Sequence, residues 1–202
     1  MRGFEIANLD DLLSEIGKER TAGILADYSC PLNVDIEDFL KHKAIDFSKQ
    51  GLAKTHLVFA SYKGQVVLVG YFAIAYKTIF IKHSAKLSSK LRARIRRFAT
   101  HIPEINGYHI SAPLIAQLGK NFTDGYDSLI SGDELLEIAC DKVKKLMAIG
   151  GGKIAYLECE DKPGLVAFYE RNGFKEFDKR SLDVADRETF KSDHLVQMIR
   201  YF

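Results

Sequence analysis

Short apolar runs alternate along the chain with longer stretches in which apolar residues recur every three or four positions. The short runs are rich in β-branched and aromatic residues, a pattern typical of β-strands. Lys63-Gly64 separates two of these runs and indicates a hairpin. The predicted strands are Thr55–Tyr62, Gln65–Tyr76, Tyr108–Gln117, Ile154–Leu157, a run that starts at Phe174, and His194–Tyr201.

The longer stretches have the period of amphipathic helices. In one of them Leu87, Leu91 and Ile95 are spaced by four residues, and cations occupy the other face. In another, Ser131 and Glu134 form a capping box that marks a helix start. The predicted helices are residues 9–20, Asp35–Gln50, 84–102, Leu129–Ile149 and a short helix that opens at Asp161-Lys162-Pro163. Strands and helices together predict an α/β (α+β) fold.

The last of these helices lies in a compact strand–helix–strand unit. Pro163 is tolerated in the first turn, where its missing N–H would be unpaired in any residue. Phe168 and Tyr169 share one helical face. Asn172-Gly173 ends the helix, since glycine readily adopts a positive φ.

Composition bounds the class of protein. A chain of 202 residues suits one domain, here predicted to span residues 1–202, with a sizeable core. No apolar run has the length of a membrane span, and the first residues lack the apolar core of a secretory signal. The three cysteines show no metal-ligand spacing and fit reduced, buried thiols in a cytoplasmic protein, and the six histidines form no ligand pattern. No metal site is predicted.

The charge is unevenly distributed. The net charge is only +2, yet Phe47–Pro103 contains eleven Lys or Arg residues and no Asp or Glu. The remainder carries 18 basic against 27 acidic residues. Such an asymmetry indicates either a polyanionic partner or a contact between opposite charges within the chain or between subunits.

The unit Phe168–Phe174, with sequence FYERNGF, resembles the "FYxxxGF" signature of the GNAT superfamily of acetyl-CoA-dependent N-acetyltransferases. The resemblance extends over about residues 28–178. It implies a mixed, mostly antiparallel central sheet that is flanked by helices and splayed where acetyl-CoA enters. The segment near residues 82–104 is then a basic helical insertion, longer than the corresponding connection in compact members.

A second resemblance concerns the N-terminal half. Residues 30–60 and the later VGYFAIA, residues 69–75, are similar to the opening of the TacT-like subgroup. Members of that subgroup are toxins of toxin–antitoxin pairs that acetylate the amino group of aminoacyl-tRNA. Pro31 stands where the subgroup usually has glycine.

The resemblance also implies the cofactor site. The backbone of the central strand would pair with the pantetheine arm, and a loop before the long helix would cradle the pyrophosphate. Asp127 and Ile130 depart from the superfamily's loop motif, and of its glycines only Gly132 is present. The residues expected to bind acetyl-CoA are Ala116, Gln117, Leu118, Leu129, Ile130, Ser131, Gly132, Asp133 and Phe168.

Direct transfer from a thioester to an amine needs no covalent enzyme intermediate. By its place in the motif, Tyr169 is the expected acid for the leaving thiolate. Glu158 and Glu160 share a strand face and are candidate bases. An aminoacyl ester amine is less basic than lysine, so a dedicated base is not required. Lys162 replaces the asparagine with which many members contact pantetheine.

The basic face of the insertion has two interpretations. It is either a solvated surface or a contact with phosphate groups, and clustered cations cannot distinguish RNA from DNA or from an acidic protein. The residues assigned to acceptor or RNA binding are Lys86, Lys90, Arg92, Arg96 and Arg97.

These observations lead to one preferred function and two alternatives. The preferred one is an acetyl-CoA-dependent N-acetyltransferase whose acceptor is aminoacyl-tRNA, acting as the toxin of a toxin–antitoxin pair. The alternatives are a GNAT enzyme that acetylates a small amine or a protein, and a catalytically silent GNAT-fold module that binds RNA or protein. Expected partners are acetyl-CoA, tRNA, an antitoxin protein and a second copy of the chain, with no membrane.

Overall fold

The computed structural model describes residues 3–182 and 194–202. Eight strands lie within this part of the chain. Their bounds are β1 Glu5–Asn8, β2 Lys54–Tyr62, β3 Gln65–Lys82, β4 Thr100–Ile102, β5 Gly107–Lys120, β6 Ile154–Glu160, β7 Lys175–Ser181 and β8 His194–Tyr201.

Six α-helices accompany these strands in the described residues. Their bounds are α1 Leu9–Ala26, α2 Val34–Asp38, α3 Ala44–Lys49, α4 Ser89–Ile95, α5 Gly132–Gly150 and α6 Pro163–Arg171. A π-helical turn, Phe39–Lys43, joins α2 to α3, and short 3₁₀ segments occur at Pro103–Ile105 and Thr123–Ser128.

The sheet has the strand order β1-β2-β3-β5-β6-β8-β7, and β4 pairs with β5. β5 and β6 are parallel, with Leu114 opposite Tyr156, whereas the other recorded pairings are antiparallel. The prediction of a mixed, mostly antiparallel sheet is therefore confirmed.

The chain divides into two compact units, which are described separately. The first comprises residues up to Ala75 together with Ile115–Ala139. Its core includes Leu25, Leu40 and Tyr71, all fully or almost fully buried. Helices cover both faces of β3 in this unit: the Tyr71 hydroxyl donates to the carbonyl of Ile36 in α2, whereas a side chain at Gly70 would contact Leu135 of α5.

The second unit comprises Tyr76–Leu114 and the residues from Cys140 onward. Its core brings Ile95 of α4 together with strand residues such as Ile81 and Tyr156. The segment between β3 and β5 therefore buries Ile95 and packs Leu87 and Leu91 against this core, as the periodicity predicts, whereas Phe98 is 41% exposed. The single-domain organisation stays a prediction.

The predicted helix over residues 84–102 is too long. The structure forms only α4 there, and Thr100–Ile102 is strand β4, paired with Gly107–His109. The chain leaves the helix through a final turn, in which the Phe98 N–H donates to the Ile95 carbonyl. The β-branched residues Thr100 and Ile102 then favour extended backbone. A second difference is β1, which pairs with β2 and which the helical pattern from residue 9 did not indicate.

Other local predictions are confirmed. Lys63 and Gly64 both have positive φ between β2 and β3, as the hairpin requires. The capping box is present: the Glu134 N–H donates to Ser131 Oγ over 3.1 Å, and the Ser131 N–H donates to Glu134 Oε2 over 2.8 Å. Cys30, Cys140 and Cys159 are buried, and none of them forms a disulfide within the described residues.

Candidate functional site

Tyr169 lies near the C-terminal end of α6, and the turn that follows fixes its position. The backbone N–H groups of Asn172 and Phe174 each donate to the Tyr169 carbonyl over 3.1 Å. Gly173 has a φ of 83°, which closes this turn. The Tyr169 ring packs edge-on against Phe168 and Phe174, with ring centroids 4.9 Å and 6.0 Å apart. The FYxxxGF motif thus forms one packed unit around a single phenol.

The Tyr169 side chain is half-buried, and within the described residues its hydroxyl has no hydrogen-bond partner. Burial raises the pKa of Tyr169 above its ordinary value, and the nearby thiols of Cys159 and Cys140 raise it further. The phenol therefore remains protonated throughout the physiological pH range. A protonated phenol without an acceptor can donate a hydrogen bond, and then a proton, to a leaving thiolate.

Glu158 lies at the centre of a dense polar network, the Glu158 network. Arg180 binds both carboxylate oxygens, with Nε–Oε1 and Nη2–Oε2 distances of 2.8 Å. Lys77 Nζ lies 3.2 Å from Oε1, and the Tyr156 hydroxyl donates to the same oxygen. Gln197 Nε2 donates to the Tyr156 hydroxyl over 2.7 Å. The network joins residues of four strands, β3, β6, β7 and β8.

The pKa of Glu158 reflects this network. Burial by itself would raise it, but hydrogen bonds from Arg180 and Tyr156 and the charges of Lys77 and Arg180 prevail and lower the pKa to about 2. A carboxylate that ionises so readily has little affinity for a proton at neutral pH. The environment therefore argues against Glu158 as the general base that its sequence position indicated.

Glu160 occupies the next position on the same face of β6. It is almost fully buried and forms an ion pair with Lys162, whose side chain is 59% exposed. Lys162 is the residue that replaces the superfamily's asparagine. Its ammonium group is thus engaged with Glu160, and both candidate carboxylates on this face have cationic partners.

The residues expected to contact pantetheine, Ala116–Leu118, lie within β5 as predicted. Ala116 is exposed, and Gln117 and Leu118 are half-buried. Gln117 Nε2 donates to Asp35 Oδ2 over 3.3 Å, whereas Gln117 Oε1 is buried without a hydrogen-bond partner. This pair could not be predicted from the sequence, because the two residues are 82 positions apart.

The predicted pyrophosphate loop, Leu129–Asp133, leads into α5. Ile130, which stands in place of a glycine, is 1% exposed and belongs to the core, so its side chain does not occupy the surface of the loop. Asp127 is the other departure from the superfamily's loop motif, and Lys120 compensates its negative charge. Lys120 Nζ donates to the Asp127 carbonyl over 2.8 Å and lies 3.9 Å from its carboxylate. The backbone N–H of Ser131 is already used by the capping box.

The five basic residues of the insertion have different environments. Arg92 donates to the carbonyls of His83, Ala85 and Leu87, which gives it a structural role in the turn before α4. Lys86 lies 3.9 Å from Glu176 but is 82% exposed. The remaining three, Lys90, Arg96 and Arg97, are exposed.

Two further features of this region were not predicted. A cavity of about 540 Å³ is lined by Lys86, Lys90, Arg94, Lys175 and Tyr201 among others. Separately, the rings of His83, His101 and Tyr108 cluster with centroids 5.0 to 5.8 Å apart, and Arg96 lies over Tyr108. Their sequence separation left no periodic signal from which the cluster could be inferred.

Within the described ranges, no group of three or more His, Cys, Asp or Glu side chains is arranged to hold a metal ion. No helix in that part of the chain combines the length and the apolar character needed to cross a membrane.

No protein-family model and no curated protein sequence matches the chain, but several solved structures are similar to it. A crystal structure of a tyrosine-to-phenylalanine variant of KacT is similar over 96% of this chain and 93% of its own, with a TM-score of 0.61 and 13% identity. The fold is that of the GNAT toxins. AtaT complexed with acetyl-methionyl-tRNAfMet matches over 96% and 94%, with a TM-score of 0.59 and 13% identity. AtaTR bound with AcCoA matches over 97% and 93%, with a TM-score of 0.54. The predicted GNAT fold is confirmed.

Proposed function

We propose that this protein is an acetyl-CoA-dependent N-acetyltransferase and that its acceptor is the amino group of aminoacyl-tRNA. The observation that carries the proposal is Tyr169: the GNAT signature holds a protonated phenol without a hydrogen-bond partner in the described residues, in a chain with the fold of AtaT. One of the AtaT structures contains acetyl-methionyl-tRNA and another contains AcCoA.

In the proposed reaction the acceptor nitrogen attacks the carbonyl carbon of the thioester. A C–N bond forms, the C–S bond breaks, and the amine loses one proton. The thiolate receives a proton from Tyr169, which is reprotonated from water. Because Glu158 and Glu160 both have cationic partners, we propose that water, rather than either carboxylate, accepts the amine proton.

Binding of acetyl-CoA is assigned to the residues that the sequence indicated. Backbone groups of Ala116 and Leu118 would pair with the pantetheine arm, and Phe168 would line its path. The backbone of the loop Leu129–Asp133 would receive the pyrophosphate, because backbone donors do not depend on side-chain identity. Lys120 supports this assignment, since it offsets the charge of Asp127 beside the loop.

The partner assignments extend the same proposal. The exposed cations of the insertion, Lys86, Lys90, Arg96 and Arg97, are proposed to contact the phosphates of tRNA. Arg92 is omitted because its guanidinium is committed to backbone carbonyls. The toxin role implies a neutralising antitoxin protein, a cytoplasmic location and arrest of growth when the protein is expressed alone.

The test uses radiolabelled acetyl-CoA with purified protein and offers charged tRNA, deacylated tRNA and a panel of small amines in parallel. Label is expected only on charged tRNA. Tyr169→Phe should lower kcat by about 100-fold or more, because general acid catalysis contributes at least that much. Tyr76→Phe is the matched control, since Tyr76 is 62% exposed on β3 and outside the signature. Equal rates for both variants would exclude Tyr169 as the acid.

The other outcomes identify the alternatives. Label on small amines or on protein would retain the enzyme and remove the tRNA acceptor. A catalytically silent module is favoured by one observation, the capping box that occupies the Ser131 N–H in the predicted phosphate loop. That module predicts no rise in melting temperature with acetyl-CoA concentration, whereas the enzyme predicts a rise that follows the ligand.

A further inference from the structure

The helix α2 lies close against β5 in the first unit. A methyl group on Gly119 of β5 would come within 2.4 Å of both Ile36 in α2 and the Tyr28 hydroxyl. Side chains alternate along a strand, so Gln117 projects to the same face as this absent side chain. That placement explains how Asp35, the neighbour of Ile36, reaches the Gln117 amide.

Asp35 fixes the orientation of that amide. A carboxylate cannot donate a hydrogen bond, so the Gln117 atom 3.3 Å from Asp35 Oδ2 must be the NH₂ group. The Gln117 oxygen then points elsewhere, and it is buried with no donor within the described residues. Native proteins rarely leave such an atom unpaired, because its desolvation is not recovered.

Two other buried oxygens have no nitrogen or oxygen partner in the described residues, the hydroxyls of Thr55 and of Tyr28, the latter of which interacts with the Cys30 thiol. Hydroxyls can donate as well as accept, whereas an amide oxygen only accepts. Of the three, Gln117 Oε1 alone lies on a side chain bonded to a carboxylate. Within the described residues no Lys, Arg or His forms an ion pair with Asp35. The nearby Lys43 binds Asp38 over 2.6 Å and interacts with Asp35 only through its charge.

The chemistry of this pair selects its ligand. The Gln117 oxygen and the Asp35 carboxylate are both acceptors, and one carries a full negative charge. Phosphates and carboxylates would be repelled, and an apolar group would leave the Gln117 oxygen unpaired and the charge of Asp35 without a counter-charge. A primary ammonium group offers three N–H donors and a positive charge, which satisfy both oxygens together.

The pair lies on the face of the first unit that α2 covers. Tyr71 bonds to α2 on one face of β3, whereas Gly70 faces Leu135 of α5 on the other. The proposed pyrophosphate loop leads directly into α5, and the Asp35–Gln117 pair lies beneath α2. A cofactor and an amine that bound these two places would therefore use opposite faces of the sheet.

We propose that Asp35 and Gln117 bind the amino group of the acceptor, with Gln117 Oε1 and the Asp35 carboxylate accepting its N–H groups. Assignment of this amine to the acceptor rests on the proposed function. Binding of a primary ammonium group at the pair does not, and it can be measured without turnover. Both are positioning residues that hold the nitrogen. The bound ammonium group loses one proton to water to become the nucleophilic amine and a second after the C–N bond forms, so neither residue needs to move a proton.

The binding experiment uses nuclear magnetic resonance on the full chain with glycine methyl ester, the smallest aminoacyl ester. Methyl acetate, which has the same ester and no amine, is the control ligand. The Gln117 side-chain NH₂ resonances should shift with the amine and not with methyl acetate. Asp35→Asn should abolish the shift. Asp38→Asn, which alters the neighbouring carboxylate of the same helix, should preserve it.

A kinetic experiment follows on charged tRNA. Gln117→Met and Asp35→Asn should each raise the KM for the acceptor about tenfold or more, as expected when a hydrogen bond to a charged group is lost. Any contact of Gln117 with acetyl-CoA would use its backbone, which the substitution keeps, so the KM for acetyl-CoA should remain within about twofold of the wild-type value. A merely structural defect would disturb the KM of both substrates. Melting temperatures of both variants establish that they are folded.

The two proposals fail in different ways. Identical shifts with glycine methyl ester and methyl acetate, or none with either, would overturn the amine site even if the wild type acetylates tRNA. A specific shift without transfer to any acceptor would retain the amine site and overturn the enzyme. Equal increases in both KM values would overturn the positioning role.

Discussion

Two polar clusters of this protein differ in how completely their groups are satisfied. Every charged group around Glu158 has an opposite partner, and both of its carboxylate oxygens accept several hydrogen bonds. The Asp35–Gln117 pair has one long hydrogen bond and one buried oxygen without a partner. The Glu158 network stabilises the fold and resists protonation, whereas the pair retains capacity for a ligand. A carboxylate near a sheet is therefore a better candidate for ligand binding when the polar groups around it lack some of their hydrogen-bond partners.

The largest effect should come from opening the Glu158 network. Arg180→Met is expected to lower the free energy of unfolding by about 4 kcal/mol, because it leaves a nearly buried carboxylate without its main partner. Urea denaturation measures the change. Lys179→Met is the matched control on the same strand, since its pair with Asp161 is exposed. A loss no larger than that of the control would mean that the network is not a stabilising element.

A somewhat smaller effect should follow pH. Its partners lower the pKa of Glu158 from an ordinary value of 4.5 to about 2 in the folded protein, so the folded state favours the ionised form. This contributes about 3 kcal/mol that is fully present above pH ~4.5 and lost as the pH falls towards 2. Glu158→Gln should flatten the acid limb of the stability curve. A variant curve parallel to that of the wild type would contradict this assignment.

The smallest effect on stability should come from the Asp35–Gln117 pair. It is informative when compared with the effect at Asn121, an amide whose oxygen and nitrogen both form hydrogen bonds. Gln117→Met should change the free energy of unfolding by less than about 1 kcal/mol, because the substitution removes a buried oxygen that has no partner. Asn121→Leu is the matched comparison, since its amide bonds to Leu68, Ser29 and Thr123. Its loss should reach about 3 kcal/mol. Equal losses for the two variants would place Gln117 among the structural amides.

The sequence predicted those parts of the fold that depend on neighbours along the chain. Ser131 and Glu134 are three residues apart, and the hairpin at Lys63-Gly64 needs only two positive φ values. Helix α4 was predicted too long because Thr100–Ile102 satisfies a helical period equally well, and only its pairing with β5 decides for a strand. Local sequence patterns predict that a helix or strand is present, but its boundaries depend on pairing with distant strands.

The candidate site divides along the same lines. Tyr169 was found because its partners Phe168 and Phe174 lie within one motif. Lys77 and Glu158 are 81 residues apart, so the ion pair that lowers the pKa of Glu158 was invisible in the sequence. Arg92 looked like any other cation of the basic face until its three carbonyl acceptors were located. Side-chain roles require the set of partners, which only the folded chain supplies.

Gly119 sets a spacing that no other residue can provide. The Ile36 methyl and the Tyr28 hydroxyl occupy the volume where the Cβ of any other residue would lie. Helix α2 therefore packs directly against the backbone of β5 at this position. The smallest addition, a single methyl group, would act as a wedge and lift Asp35 away from Gln117. The distance between Asp35 and Gln117 in the proposed amine site therefore depends on the absence of a side chain at Gly119.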